Sequence, residues 1–273
     1  MRRKILPPSG CSTHGFTLLE LLVVVAILTA VLGVVFTAVT RLQKTYKAEE
    51  TKVDATQLAR TFLDGMASEL RQAGFPARRL FAPGVLGSPA VNDYRCAAGL
   101  VRVSASELWF EADIEGDGQV ESVRYTLTDS NGTPVTANSS CPCTLWRSQV
   151  VKVTGAPTSQ AVNYNSNADG VINSAGVGGG GAALGLSGST RFGAGTVSND
   201  VLYAAYKAAP LFAAFDQSGN ALSLPRDLAS NPAGMAQVRA VTITLNLLAG
   251  APDLQTGMTP ALSLSASARL NNY

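Results

Sequence analysis

A run of apolar residues near the N-terminus constrains the fold of this chain more than any other feature. From Phe16 to about Val39 the sequence FTLLELLVVVAILTAVLGVVFTAV contains a single ionisable residue, Glu20. As a helix that rises about 1.5 Å per residue, this run is roughly 36 Å long, enough to cross the hydrocarbon core of a bilayer. Core helices of globular proteins are seldom this long and this apolar on every face. We therefore predict that the segment spans a membrane.

Two other N-terminal signals fit the sequence less well. Arg2, Arg3 and Lys4 form the basic start of a secretory signal peptide, but such a peptide has a shorter apolar stretch with small residues after it. Here the small residue, Gly15, precedes the apolar run. A lipoprotein signal at Cys11 also fails, because no apolar segment comes before that cysteine.

The residues GFTLLE, from Gly15 to Glu20, follow a short basic leader and open the apolar run. This combination resembles the class III signal of type IV pilins and of type II secretion pseudopilins. The resemblance implies that a prepilin peptidase cuts between Gly15 and Phe16 and that the new N-terminal Phe16 is methylated. It also makes Glu20 the near-invariant acid of the family.

Glu20 has a physical reason to seek a partner. An ionised carboxylate in a membrane helix costs on the order of 2.5–3.5 kcal/mol on insertion scales. Cleavage before Phe16 would create an α-amino group about one helical turn away, so a small axial offset would bring Glu20 beside the amine of a neighbouring subunit. The alternative is a carboxylate that reaches toward the lipid head groups.

The helix is predicted to continue well beyond the membrane, from Phe16 to about Ala73, a length of roughly 87 Å. Gly74 and Pro76 then supply a helix stop. The N-terminal half is predicted to protrude, and the C-terminal half to pack its apolar face on the rest of the chain. Apolar residues at helical spacing mark that face of the helix: Leu42, Tyr46, Val53, Leu58, Phe62, Met66 and Leu70.

The remainder of the chain reads as strands. Alternating segments rich in Val, Tyr, Phe and Thr predict about five antiparallel strands packed against the helix, an α+β fold. These segments are GLVRVSASELWFEAD, QVESVRYTLT, TLWRSQVVKVTG, MAQVRAVTITLNLLAG and ALSLSASARLNNY. LFAAFDQSGNAL at 211–222 predicts a further hairpin, and the glycine-rich segment 155–200 predicts a long irregular excursion.

The order of these elements resembles the PilW-type minor pilins and, more loosely, the J-type pseudopilins. The segments that carry this resemblance are LRQAGFP, FEADIEGDGQVESVRYTL and VTITLNL with SARLNN. The resemblance implies a lollipop-shaped subunit with four parts. These are a leader at 1–15, a transmembrane and assembly helix at 16–39, its amphipathic continuation at 40–75 and a globular α+β domain at 76–273, with a glycine-rich loop at about 155–200.

Three cysteines lie in the body, and their spacing predicts one disulfide in an exported domain. Cys96 has two candidate partners, Cys141 and Cys143. A Cys141–Cys143 bond is disfavoured, because a ring closed over one intervening residue is strained. A bond from Cys96 would close a loop of about 45 residues and stabilise the fold by about 3–4 kcal/mol.

The segment DIEGDGQVE offers a weak calcium alternative. Asp113, Glu115 and Asp117 alternate like the start of an EF-hand loop. Arg124 occupies the position that requires a bidentate Glu, and strands rather than helices flank the segment. An Asp-Gly hairpin turn explains the same residues, so we predict a turn and no metal.

Enzymatic chemistry is not expected. The sole histidine, His14, lies in the leader, which leaves the mature chain without Ser-His-Asp, Cys-His or His-metal chemistry. The cysteines make no zinc pattern, and a net charge of +2 predicts no nucleic-acid surface. We expect no cofactor.

Together these features predict a minor pilin of a type IV pilus that primes assembly or sits at the fibre tip. The alternatives are a J-like minor pseudopilin of a type II secretion system and, from another class, a tip adhesin or ligand-binding module. The implied partners are other pilins through their N-terminal helices, the prepilin peptidase, the inner-membrane assembly platform and the membrane. The implied location is the bacterial inner membrane, with a periplasmic C-terminal domain, and then the fibre.

Overall fold

The fold is described from a computed structural model that covers residues 17–136, 139–173, 183–184, 189–192, 195–250, 252 and 258–272. The chain divides into two compact units, Met1–Tyr46 and Lys47–Tyr273. Gly15, Phe16, Cys11 and His14 lie outside the described residues.

One long helix, α1, opens the described chain. It runs from Leu18 to Gln72, within two residues of the predicted start and one of the predicted end. Gly74 terminates it with a φ of +84°, a left-handed conformation that glycine adopts without the steric cost of a side chain. The Gly74 N–H then donates to the Glu111 carbonyl, which fixes the chain to the sheet directly after the helix.

The body is dominated by a ten-stranded antiparallel sheet, which confirms the α+β class with more strands than the sequence predicted. Its strands are β1 (Gly99–Val103), β2 (Glu107–Ala112), β3 (Glu121–Thr128), β5 (Cys143–Val151), β6 (Tyr164–Val171), β10 (Phe212–Phe215), β11 (Ala221–Leu222), β12 (Arg226–Asp227), β13 (Ala240–Leu248) and β14 (Ala261–Arg269). The order is β11-β10-β13-β6-β5-β3-β2-β1-β12, and β14 pairs with the other side of β13.

Short elements complete the described structure. Two small sheets pair β4 (Ser140–Cys141) with β7 (Ala183–Leu184) and β8 (Ser189–Phe192) with β9 (Gly195–Ser198). The short helices are α2 (Asn199–Leu202), α3 (Ala204–Ala208) and α4 (Pro232–Met235). Three 3₁₀ turns lie at Arg78–Leu80, Ala90–Asn92 and Pro157–Ser159.

The segment 155–200, predicted to be an irregular excursion, contains a central strand. β6 lies in the middle of the sheet and pairs with β5 along most of its length and with β13 at Leu247. Its sequence YNSNADGV is polar and lacks strand alternation, so its position depends on the two neighbouring strands rather than on local propensity. The predicted hairpin at 211–222 is confirmed, since β10 and β11 pair across it.

The helical side of the core comes from the last turns of α1. Its buried residues are Ala59, Leu63, Met66, Ala67 and Leu70, which pack with the apolar face of the sheet. The predicted face was wrong at Tyr46, Val53 and Leu58, which are 71%, 51% and 56% exposed. Leu42, in the half of the helix predicted to protrude, is 54% exposed. Ala59 and Ala67 belong to the face that is buried, and a pattern of large apolar side chains does not identify them.

Candidate functional site

The N-terminus of α1 is closed by a reciprocal capping box. The Thr17 N–H and hydroxyl both donate to Glu20 Oε2 at 3.0 Å, and the Glu20 N–H donates to Thr17 Oγ1 at 3.3 Å. This is the Thr-x-x-Glu pattern that satisfies free N–H groups at a helix start. The carboxylate also lies at the positive end of the helix dipole.

The apolar run draws attention to Glu20 but not to Thr17. The partners expected for the acid are a neighbour's amine or the lipid head groups, and the structure adds Thr17 of the same chain. The signal was present in the sequence, because Thr17 and Glu20 stand three residues apart directly before an apolar run.

The apolar run behind the capping box is exposed throughout. From Leu18 to Val39 every described side chain faces solvent in the isolated chain. Thr29 and Thr37 donate to the carbonyls of Val25 and Gly33, at 2.9 Å and 2.8 Å, so their hydroxyls are satisfied within the helix. Of the described helices, α1 is long and apolar enough to cross a membrane by length and composition.

Within the body, a polar cluster ties α1 to the sheet. The Tyr125 hydroxyl donates to Glu69 Oε2 at 2.6 Å, and Arg147 forms a salt bridge with Glu69 at 2.7 Å. Arg147 also donates to Gln149, which donates to Glu115. Burial raises the pKa of the Tyr125 phenol, and the Glu69 carboxylate adds to the rise. The tyrosine therefore stays protonated and acts as a donor.

The acidic segment between β2 and β3 forms a turn, as its Asp-Gly sequence predicts. Asp113 accepts from the N–H groups of Gly116 and Gly118, at 2.7 Å and 3.1 Å. Both glycines have positive φ, +72° and +86°. Both carboxylate oxygens of Asp113 therefore hold the segment between β2 and β3 in this turn.

Three carboxylates around this turn approach one another closely enough to share a cation. They are Asp113, Asp117 and Glu121, whose ligand atoms lie within 4.8 Å of one another. Burial raises the pKa of Glu121, and the neighbouring acids raise it further. Glu115, one of the three residues singled out from the sequence, is not a member and accepts from Gln149 instead.

The predicted disulfide from Cys96 is wrong. Cys141 and Cys143 are bonded to each other, with their Cα atoms 4.4 Å apart, and Cys96 is a buried free thiol. The sheet explains the difference, because the Cys96 carbonyl accepts from Lys152 at one end of β5 while Cys143 begins the other end. At about 3.3 Å per residue, some 30 Å of strand separates the two ends, far beyond the reach of a disulfide.

A buried ion pair near Cys96 was also not predicted. Lys152 Nζ donates to Glu111 Oε2 at 2.6 Å and to the carbonyls of Val91 and Cys96, both at 2.7 Å. Both charged side chains are fully buried. The Ala98 N–H also donates to Glu111. The pair therefore fastens the segment between α1 and β1 to the sheet.

Residues 11–36 match the family model described as the prokaryotic N-terminal methylation motif. Neither the curated proteins nor the solved structures gave a significant match to this chain. The matched segment contains Thr17, Glu20 and most of the exposed apolar run. It indicates a prepilin-type protein similar to type IV pilins and pseudopilins, anchored in the membrane by the apolar part of α1. Such a motif points to a structural subunit that packs through its N-terminal helix.

Proposed function

We propose that this protein is a minor subunit of a type IV pilus that primes assembly or lies at the fibre tip. One observation carries the proposal: the methylation motif coincides with the exposed apolar run of α1, in which Glu20, near the start, is the one acid. A helix exposed over this length requires lipid or other helices around it. Processing between Gly15 and Phe16, with methylation of Phe16, would create the mature N-terminus.

Glu20 is proposed to form an ion pair with the α-amino group of Phe16 of a neighbouring subunit. Among the described residues, Glu20 Oε2 accepts hydrogen bonds from the N–H and the hydroxyl of Thr17, and Oε1 accepts none. Oε2 can thus keep the helix capped while Oε1 accepts a hydrogen bond from an ammonium group. In a packed bundle of helices, the low dielectric strengthens this pairing and makes an unpaired carboxylate costly.

Incorporation of variants into sheared surface fibres tests this role. Glu20→Ala should remain in the membrane at normal level but be absent from fibres, since it offers no acceptor for the amine. Thr29→Val is the matched control, because it changes a polar residue of the same helix without touching the capping box. Normal incorporation of Glu20→Ala would rule out the proposed pairing.

A deletion strain distinguishes a pilus from a secretion system. Loss of surface fibres and twitching, with secretion intact, is the expected result. Loss of exported enzymes with normal fibres would instead assign the protein to a type II secretion pseudopilus. Normal fibres and secretion with lost surface attachment would favour a tip adhesin.

A further inference from the structure

The last strand of the body, β14, has one paired edge and one open edge. Its residues Ala261–Arg269 pair with β13 in nine consecutive steps without a register shift. Among the residues that the structure describes, no strand pairs with its other side. The strands that end the rest of the sheet, β11 and β12, have two residues each, a length that limits pairing with other chains.

Two hydrogen bonds at the ends of β14 show which of its main-chain groups point away from the sheet. Leu270 N–H donates to the Arg239 carbonyl, and Ala249 N–H donates to the Pro260 carbonyl. Both bonds join even-numbered residues of the β14 segment to the β13 segment. Because hydrogen-bonded residues alternate along an antiparallel ladder, the N–H and C=O groups of the other even-numbered β14 residues also point toward β13. The N–H and C=O groups of the odd-numbered residues therefore point away from the sheet: Ala261, Ser263, Ser265, Ser267 and Arg269.

The side chains of β14 do not protect this edge. Natural edge strands are usually blocked by a proline, a lysine, a bulge or an inward charge. From Ala261 to Ala268 this strand has only Ala, Leu and Ser, and the serines at 263, 265 and 267 are exposed. On the core side, Leu262 and Leu264 are half-buried, whereas their β13 partners Leu247 and Leu245 are buried.

We propose that this edge pairs with β14 of a second copy of the chain, antiparallel and about a two-fold axis at Ser265. Each Ser265 would then face its counterpart, and Ser263 would face the other copy's Ser267. The five outward residues of each strand would exchange about ten main-chain hydrogen bonds.

The side-chain pattern of β14 is complementary to itself in this register. The apolar side would place Leu262 opposite Ala268 and Leu264 opposite Ala266, so each large residue meets a small one. The two Arg269 side chains would lie at opposite ends of the pair, each facing Ala261. A shift of two residues toward the N-terminus would lose main-chain bonds and set Leu262 against Leu264. These features favour a second copy over an unrelated extended peptide.

Cysteine cross-linking of the full chain in detergent tests the register. In a Cys11→Ser background, Ser265→Cys should form a disulfide-linked dimer, because facing residues of a hydrogen-bonded pair have Cα atoms about 5.5 Å apart. Ser263→Cys alone should not, since its two copies would lie roughly 14 Å apart along the strand. A mixture of Ser263→Cys and Ser267→Cys should again cross-link.

A proline variant supplies the second control. Ser265 directs its N–H away from β13, so Ser265→Pro removes an outward donor and leaves the internal ladder intact. It should abolish cross-linking between Ser263→Cys and Ser267→Cys without lowering the unfolding temperature. Ser265→Ala should leave that cross-linking unchanged.

Three results would overturn the proposal. Equal cross-linking of Ser263→Cys and Ser265→Cys would indicate random collision. A Ser265→Cys thiol that stays monomeric and reacts freely with a small reagent would show an edge with no partner copy. A Ser265→Cys variant that stays monomeric and whose thiol does not react would also exclude a second copy as the occupant. In that case another part of this chain or another protein covers the edge.

Discussion

Removal of the Lys152 ammonium from the buried ion pair should strongly destabilise the body. Lys152→Met keeps the length of the side chain but leaves Glu111 fully buried without its counter-charge, and the carbonyls of Val91 and Cys96 lose a donor. Breaking a buried pair by removing one partner costs about 3–5 kcal/mol. With a urea m-value of about 2 kcal/mol per molar, the unfolding midpoint should fall by about 2 M.

A second substitution, at Glu111, should restore part of the lost stability. Lys152→Met combined with Glu111→Leu removes the stranded charge, so the double variant should be more stable than the single one. It should stay below wild type, because the carbonyls of Val91 and Cys96 still lack a donor and the Ala98 N–H loses its acceptor, Glu111.

The pH dependence of the single variant has a defined sign. Burial raises the pKa of Glu111, and Lys152 opposes that rise, so the pKa should climb further in Lys152→Met. A carboxyl whose pKa is higher in the folded than in the unfolded state reduces stability as pH rises above the unfolded value. The loss relative to wild type should therefore be larger at pH 8 than at pH 5.

Urea unfolding of the full chain in detergent, followed by tryptophan fluorescence, measures all three quantities. The two tryptophans, Trp109 and Trp146, lie on β2 and β5 and report on the body. A loss below about 1 kcal/mol for Lys152→Met, or a double variant less stable than the single one, would refute the reasoning.

Three further predictions concern the helix face, the helix end and acid stability. Met66→Ala should lower the unfolding free energy by about 2–5 kcal/mol, measured by calorimetry or urea titration. Leu58 is exposed, so Leu58→Ala should lower it by less than about 0.5 kcal/mol. Equal losses would contradict the assigned buried face of α1. Gly74→Ala should lower the unfolding free energy by about 1 kcal/mol or more, because φ is +84° there and a Cβ would lie 3.3 Å from the Cβ of Asn272; an unchanged midpoint would contradict this. Hydrogen bonds from Arg95 and from backbone N–H groups hold the pKa of Asp93 well below its usual range, so this carboxylate stabilises the fold above the unfolded pKa of about 4, and the stabilisation is lost as pH falls. Asp93→Asn should therefore be less stable than wild type at pH 6, with a gap that narrows below pH 4; a gap independent of pH would refute this.

The sequence predicts the helix and most strands because their signals are local. The apolar run, the Gly74 stop and the alternation in β2, β3 and β13 each lie within a short window. The buried face of α1 was harder to predict, since Ala59 and Ala67 contribute to it without a strong apolar signal.

The remaining errors concern contacts between distant parts of the chain. Cys96 lies beside Lys152 because of strand order, which no cysteine spacing reveals. The same applies to the ion pair with Glu111, whose two members are 41 residues apart and would each be expected at the surface. Strand β6 is fixed by its neighbours rather than by its own polar sequence.

Mass spectrometry of the intact protein extracted from surface fibres tests the central claim most directly. A mature chain that begins at Phe16 and carries one methyl group on its α-amine is the predicted result. A fibre-derived chain that retains residues 1–15, or that begins elsewhere in the apolar run, would contradict the account of this protein as a processed pilin-type subunit.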